Sequence, residues 1–167
     1  MKQILNSTDC RGALSFIFAV PTTSLVKLTL NSSGIYVPEF RNLDQVINIP
    51  VLPGHKYQFK EDNSVSNGGN LFSLSISGVI RPLTAKDRQI IDDLVSGEWL
   101  VLTVDTVGLC RLSGTVDVPL RFAMSDDSGA DFSDKKIISF SFSAKEKSPS
   151  VICNVEDIPF PMTFLSL

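Results

Sequence analysis

Two stretches in which serine alternates with an apolar residue decide the fold class of this chain: FSLSIS at residues 72–77 and ISFSFS at residues 138–143. Successive side chains of a β-strand point to opposite faces, so the alternation places the apolar residues on one face and the hydroxyls on the other. Hydroxyl groups alone name no reaction. The sequence therefore predicts a mainly β, antiparallel domain, either a β-sandwich or a β-barrel-like fold.

Further strands are predicted where short apolar or alternating runs are bounded by turn residues. In chain order the predicted strands are Leu14–Val20, Leu25–Leu30, Ile35–Phe40, Val46–Val51, Lys56–Lys60, Leu71–Ile80, Trp99–Val104, Leu109–Leu112, Val118–Met124 and Ile137–Ala144.

The turns between these strands predict how neighbours pair. Residues 31–34 and 105–108 are typical of tight turns, and the second is expected to close a hairpin. The dipeptide at residues 53–54, Pro-Gly, is expected to join the strands on either side of it as a pair. Residues 61–70 contain almost no apolar side chain, which favours a mobile loop or a hairpin tip that projects from the sheet.

One short helix is predicted near residues 84–96. Thr84 is a suitable N-cap, Asp87 follows three residues later, and Gly97 suits the left-handed position that ends a helix. Four apolar residues recur at helical spacing, and we expect this face to pack on a sheet. They are Ile90, Ile91, Leu94 and Val95.

Composition and charge describe a globular chain. Its 167 residues suit a single domain, and a hydrophobic content of 43% with 20% charged residues argues against disorder. The net charge of −3 and the absence of a Lys/Arg cluster argue against specific nucleic-acid binding. The apolar run at residues 13–20 is too short to span a bilayer, so an internal strand is predicted there rather than a signal peptide, and no membrane partner is expected.

The three cysteines, Cys10, Cys110 and Cys153, are distant in sequence and odd in number. No C-x-x-C pair is present, so neither a disulfide framework nor a zinc site is predicted. We expect three reduced, mostly buried thiols in a protein made in a reducing cytoplasm.

Catalytic groups are sparse. His55 is the single histidine and is expected in a turn, with no serine or cysteine in a recognised nucleophile setting. No G-x-S-x-G and no phosphate-binding glycine motif occurs. Asp92 and Asp93 are adjacent on the predicted helix and point in different directions, which makes them a poor acid–base pair. The sequence predicts a protein that is not an enzyme and needs no cofactor.

The segment SDDSGADFSD at residues 125–134 is an acidic loop. Crowded carboxylates such as Asp126 and Asp131 can hold calcium through oxygen ligands. The order of ligands in an EF-hand is not met, and its terminal glutamate is missing. Solvated loop carboxylates are therefore expected, with no dedicated metal site.

The tail, residues 148–167, contains three prolines with apolar residues between them. Proline opposes helix formation, and so many apolar side chains will not remain in solvent. We expect residues 1–147 to form one β domain, and the tail to be an extended C-terminal arm on a neighbouring subunit. Packing of the tail on this subunit's own core is the alternative.

Four runs follow one another in the second half of the chain: GVI at 78–80, DRQIIDDLVSGEWLVL at 87–102, RLSGTVDVPLRF at 111–122 and SGAD at 128–131. Their order and spacing resemble small virion proteins of tailed phages and prophages of gut Bacteroidetes-type bacteria, crAss-like phages among them. In that group a strand and a short helix precede W-V-x-L, L-x-G-T-x-x-x-P-L-R-F and S-G-A-D. The resemblance covers about residues 70–145.

The resemblance implies a non-enzymatic structural protein that forms or decorates a ring in a phage neck or tail, with tail-tube-like architecture. It implies a homo-oligomeric ring, other virion proteins as partners, no small-molecule substrate, and a place in the virion after assembly in the bacterial host cytoplasm. It places Gly114, Pro119, Leu120 and Arg121 in a fixed turn and strand, and Gly129 and Asp131 in a loop.

Two other classes of function are weighed against this one. A ligand- or carbohydrate-binding β-sandwich would use the acidic loop for calcium, and it should expose aromatic side chains on one face. Tyr36, Tyr57 and Trp99 instead lie in apolar contexts, which favours the structural protein. A small enzyme would need the nucleophile and base that the sequence lacks. Ring order, position in the particle and neighbouring proteins stay open.

Overall fold

The computed structural model of the chain describes residues 13–66, 68–80, 85–127 and 137–160. In these residues the regular elements are β1 (Leu14–Pro21), β2 (Leu25–Leu30), β3 (Tyr36–Phe40), β4 (Ile47–Ile49), β5 (Gln58–Ser66), β6 (Gly69–Ile80), α1 (Ala85–Ser96), β7 (Trp99–Asp105), β8 (Cys110–Ser113), β9 (Arg121–Asp127), β10 (Ile137–Glu146) and β11 (Val151–Cys153).

The strands form two sheets. A seven-stranded sheet has the order β2-β3-β11-β8-β7-β1-β4 and curls into a half-barrel, and a four-stranded sheet has the order β5-β6-β10-β9. Neighbouring strands are antiparallel except β11 and β3, which are parallel. The prediction of a mainly β fold with one short helix is confirmed.

The two serine-alternating stretches lie in the middle of the four-stranded sheet, where β6 and β10 pair with each other. Phe140 lies opposite Gly78, and Phe142 lies opposite Ile76. Leu74 and Ile76 of β6 are buried on one face together with alternate apolar residues of β10, while Ser139 and Ser143 of β10 are exposed on the other. The alternation therefore gives the burial pattern that the sequence predicts.

The first core, called here the inter-sheet core, lies between the two sheets. It joins Ile17 and Ala19 of β1 to Ile76 of β6 and to Phe140 and Phe142 of β10. Buried residues of β4, β7, β9 and α1 belong to the same cluster. Sheet-on-sheet packing of this kind supplies the main apolar burial of a β-sandwich.

The second core, called here the tail core, lies on the opposite face of the seven-stranded sheet. Phe18 and Val20 of β1 contribute to it, together with alternate residues of β7 and β8 and with Ile158 and Phe160 of the tail. Because neighbouring residues of β1 and β7 enter different cores, these two strands are buried on both faces. Strands buried on both faces read as continuous apolar runs, as residues 14–20 and 99–104 do.

The expected pairing of β4 with β5 is wrong. Strand β4 pairs with β1 in the seven-stranded sheet, whereas β5 pairs with β6 in the other. Gly54 does adopt a positive φ of 79°, so the predicted turn exists. The turn is part of a segment that crosses from one sheet to the other. Tyr57 anchors this crossover, because its hydroxyl donates to the carbonyl of Val79 and accepts from the amide of Leu52.

Within residues 61–70, the described residues of β5 and β6 pair as a hairpin. Register pairs run from Gln58 opposite Ser77 to Ser66 opposite Gly69, so the alternative of a projecting hairpin tip is confirmed and that of a mobile loop is wrong. The segment is polar because β5 is the terminal strand of its sheet and its outer residues lie in solvent.

Helix α1 buries fewer of its apolar side chains than its sequence predicts. Ile91 and Leu94 are buried, but Ile90 is 44% exposed and Val95 is 54% exposed, so the expected face of four residues is wrong for two of them. The helix lies at the rim of the inter-sheet core, where a single i, i+3 pair of side chains reaches the sheet. The amide of Gly97 donates to the carbonyl of Asp93 where the helix ends.

The tail packs on the core of its own subunit as far as Phe160. Strand β11 is inserted between β3 and β8, and Ile158 and Phe160 are buried in the tail core. The ring of Phe160 lies 5.2 Å from that of Phe18 and 5.4 Å from that of Phe40, measured between centroids. The expectation of an arm on a neighbouring subunit is wrong for residues 151–160. Residues 161–167 lie outside the described part of the chain.

Candidate functional site

The titratable residues singled out in the sequence do not come together. His55 is exposed in the crossover turn, and Asp92 and Asp93 are both exposed on α1. Among the described residues, no group of three or more His, Cys, Asp or Glu side chains could hold a metal ion.

Only the beginning of the predicted acidic loop, residues 125–127, lies in the described part of the chain. Residues 125–127 form the end of β9, so the loop begins later than expected. Residues 128–136, with Asp131, and the side chain of Asp126 lie outside what the structure describes.

A cavity of about 770 Å³ lies at one side of the inter-sheet core. We call it the edge cavity. It lies between β4, α1 and the four-stranded sheet, and its lining is mainly apolar. The apolar residues include Ile47, Ile49, Ile91, Leu94, Trp99 and Phe122. Asp44, Asn48 and Asp93 supply polar groups to the same lining.

The edge cavity exists because β4 ends its sheet. β4 has three residues, pairs with β1 on one side, and has no strand on the other side among those that the structure describes. The backbone amides and carbonyls along a free edge can pair with a further strand. The half-exposed side chain of Ile90 also lines the cavity.

Trp99 gives the cavity a rigid wall. Its indole Nε1 donates to the carbonyl of Leu94 at 2.9 Å, and its backbone exchanges two hydrogen bonds with that of Leu120. A Cβ at Gly97 would come within 2.6–2.8 Å of the indole ring, so the close approach requires glycine there. Trp99 is the only tryptophan of the chain, so its fluorescence reports on the cavity.

The opposite side of the inter-sheet space is closed by polar contacts between β5 and the start of the tail. The amide of Ser150 donates to Oε2 of Glu61 at 2.8 Å, and the hydroxyls of Ser150 and Ser113 lie 2.9 Å apart. The guanidinium of Arg111 stacks over the ring of Phe59 at 5.0 Å.

Glu146 is the buried acidic residue of this polar region. Its side chain is only 4% exposed, and its Oε1 has no hydrogen-bond partner. Burial raises the pKa of Glu146, the nearby Glu61 raises it further, and the amide of Gly114 acts in the opposite direction. A buried carboxyl of this kind is easier to protonate than an exposed one.

Two of the cysteines are close in space although they are distant in sequence. Cys110 of β8 lies directly opposite Cys153 of β11, and both are buried free thiols. The expectation of buried thiols is confirmed for these two, while Cys10 lies outside the described residues. The neighbouring thiol of Cys153 and burial raise the pKa of Cys110. A protonated buried thiol is a poor nucleophile.

The residues singled out by the resemblance lie as follows. Gly114 has a φ of 88°, Leu120 is fully buried, and Arg121 begins β9 and forms an ion pair with Glu98 at 2.6 Å. Gly129 lies outside the described residues, as does Asp131.

Comparisons with known proteins identify no relative. No protein-family model matches the chain, and neither a curated protein nor a solved structure gives a significant match. In the described ranges, no helix has the length and apolar character required to cross a membrane.

Proposed function

We propose that this chain is a non-enzymatic virion structural protein that forms or decorates a ring in a phage neck or tail. The observation that supports the proposal best is the arrangement of its edges. Among the described strands, β2 and β4 end one sheet, and β5 and β9 end the other. Edge strands are the surfaces through which β domains join copies of themselves or other proteins.

Strand β2 is the edge best suited to such contacts. It carries the exposed side chains of Val26 and Leu30, next to the polar Lys27 and Thr29. The half-exposed Ile152 lies two strands away on β11. Apolar groups on a free edge favour association, because pairing buries them and satisfies the backbone at once.

The experiment measures size. Sedimentation analysis of the purified chain, alone and with the products of neighbouring genes, should show a closed oligomer or a defined complex. The double variant V26K/L30K should lose this assembly and keep its melting temperature, because charged side chains on an edge oppose strand pairing. V107K is the matched control, since Val107 is also exposed but lies in the turn after β7. A chain that stays monomeric in every mixture would contradict the proposal.

A binding module for a small ligand is the second candidate, and the edge cavity is the observation that favours it. A carbohydrate-binding surface is disfavoured, because Tyr57 and Trp99 are both buried. If calcium assists such a module, excess calcium should raise the melting temperature. A site at a hundredfold excess over its dissociation constant adds roughly 2.7 kcal/mol to the free energy of unfolding. We expect no shift, and a shift removed by D126N/D131N would favour this candidate.

A further inference from the structure

We propose that Cys110 and Cys153 are a cross-strand disulfide site, which a small disulfide such as oxidised glutathione oxidises when residues 151–160 open locally. We call these residues the tail segment. The bond ties β11 covalently to β8, and in a reducing compartment the pair stays as two thiols. The proposal is independent of the proposed function, since it concerns a bond within one subunit.

The register of β8 and β11 places the two cysteines close enough to bond. Cys110 lies directly opposite Cys153, and the two neighbouring register pairs follow without a shift. Directly opposite residues of antiparallel strands have Cα atoms about 4.5–5.5 Å apart, and disulfides join Cα atoms about 4.4–6.8 Å apart. The two side chains already share a hydrogen bond. The separation of this pair therefore suits a disulfide.

Both thiols are shielded from an oxidant while the tail segment is in place. Cys110 is fully buried, and Cys153 is only 4% exposed. Oxidation therefore requires an opening, and β11 is the element suited to it. This strand has three residues, and it pairs with β3 through the single register pair of Cys153 with Tyr36. Elements with few contacts are those that open locally at low free-energy cost.

The exchange balances with the small disulfide as the oxidant. Cys153 moves with the tail segment, so its sulfur meets the oxidant first. Its thiolate attacks one sulfur of oxidised glutathione, the S–S bond of glutathione breaks, and one glutathione leaves. As the segment closes, the thiolate of Cys110 attacks the sulfur of Cys153 and releases the second glutathione. Each leaving thiolate takes up the proton that a cysteine has lost, so two protein thiols are oxidised and one small disulfide is reduced to two thiols.

Metal binding is the competing use of two adjacent thiols. A structural zinc ion takes four ligands, so Cys110 and Cys153 alone leave its coordination incomplete. In the part of the chain that the structure describes, no group of three or more possible ligands surrounds them. Oxidation to a disulfide needs no third group.

The first test oxidises the full chain. After incubation with an excess of oxidised glutathione, the intact mass should fall by two hydrogen atoms, and peptide mapping should link Cys110 to Cys153. The folding equilibrium constant measured in urea should rise at least about tenfold, because the bond restricts the unfolded chain, and dithiothreitol should reverse the rise. The variant Cys10→Ser should behave identically, which excludes a contribution of the third thiol.

Cys153→Ser is the matched control, and oxidised glutathione should leave its stability unchanged. Three outcomes would overturn the proposal: thiols that stay free, a glutathione adduct on Cys153 that never converts to the linked pair, and a linked pair that is no more stable than the thiol form.

The second test measures the opening. Phe160→Ala removes a ring that packs against Phe18, which loosens the tail segment, so oxidation should become at least about tenfold faster. Leu94→Ala is the matched control, because it removes a buried apolar side chain from the inter-sheet core, and its rate should stay within about twofold of that of the unchanged chain. Equal acceleration in the two variants would show that oxidation needs unfolding of the whole domain, which overturns the proposal.

Discussion

Replacing Phe160 with alanine should destabilise the fold strongly, although the residue lies near the end of the chain. Its side chain is only 7% exposed, and its ring packs against those of Phe18 and Phe40 in the tail core. Removing a buried phenylalanine ring costs about 3–5 kcal/mol. Since domains of this size are stable by about 5–15 kcal/mol, the change removes a large fraction of the free energy of unfolding.

Urea unfolding followed by the emission of Trp99 measures this loss, and thermal unfolding should show a fall of roughly 6–20 °C. Ile152→Ala is the matched control, because Ile152 belongs to the same segment but is 48% exposed. That variant should lose under about 1 kcal/mol. Equal stability of the two variants would contradict the packing of Phe160 in the tail core, as would a loss at Phe160 that appears only at concentrations where the chain associates.

Three further predictions test other parts of the structure. Leu94→Ala should lower the free energy of unfolding by about 2–5 kcal/mol in urea titrations, while Val95→Ala should change it by under about 1 kcal/mol, because only Leu94 is buried. The raised pKa of Glu146 means that its favourable contribution is complete below the ordinary carboxyl value of 4.5 and is lost as the pH rises through the folded-state pKa. Glu146→Gln should therefore flatten the fall in stability that follows as the pH rises above about 4.5, and an unchanged profile would contradict the assignment. Gly78→Ala should destabilise by roughly 1–3 kcal/mol in thermal unfolding, because the new Cβ would lie 2.2 Å from the ring of Tyr57.

Local sequence patterns were sufficient to predict most of the strands and the helix. Serine alternation located the centre of the four-stranded sheet, and apolar runs located β1 and β7, because burial on one or two faces leaves a direct trace in the sequence. The turn of residues 31–34 is also local: the side chain of Asn31 accepts from the amides of Ser33 and Ile35. Such signals depend only on residues that are neighbours in the chain.

Contacts between segments that are distant in sequence leave no such local pattern. The turn at residues 53–54 is compatible with a hairpin or a crossover, and the choice depends on where Tyr57 finds its hydrogen bonds in β6. Cys110 and Cys153 carry no spacing signal, because an insertion of the tail between two strands brings them together. The apolar face predicted for α1 contains more residues than the structure buries. Periodicity shows which side chains share a face and not how much of that face is covered.

The candidate site was missed for the same reason. The edge cavity joins residues of β4, α1, β7 and β9, and none of these residues has a chemical signature of its own. A three-residue strand that ends a sheet is weakly specified by sequence, since Ile47 and Ile49 alternate with a single polar residue. Only the assembled sheet order shows that β4 has one neighbour among the described strands.

The insertion of β11 also determines the order in which the fold can be completed. Among the described strands, the hairpin of β2 and β3 pairs with the rest of its sheet through β11, which lies far downstream of β3 in the sequence. Domains begin to fold from the N-terminus during synthesis, so this hairpin must wait for residues 151–153 with the edge of β3 unpaired. Contacts between residues so far apart form slowly, and unpaired edges promote aggregation. We therefore expect the insertion of β11 between β3 and β8 to be a late step of folding. Chains that are synthesised faster than β11 inserts should misassemble more often.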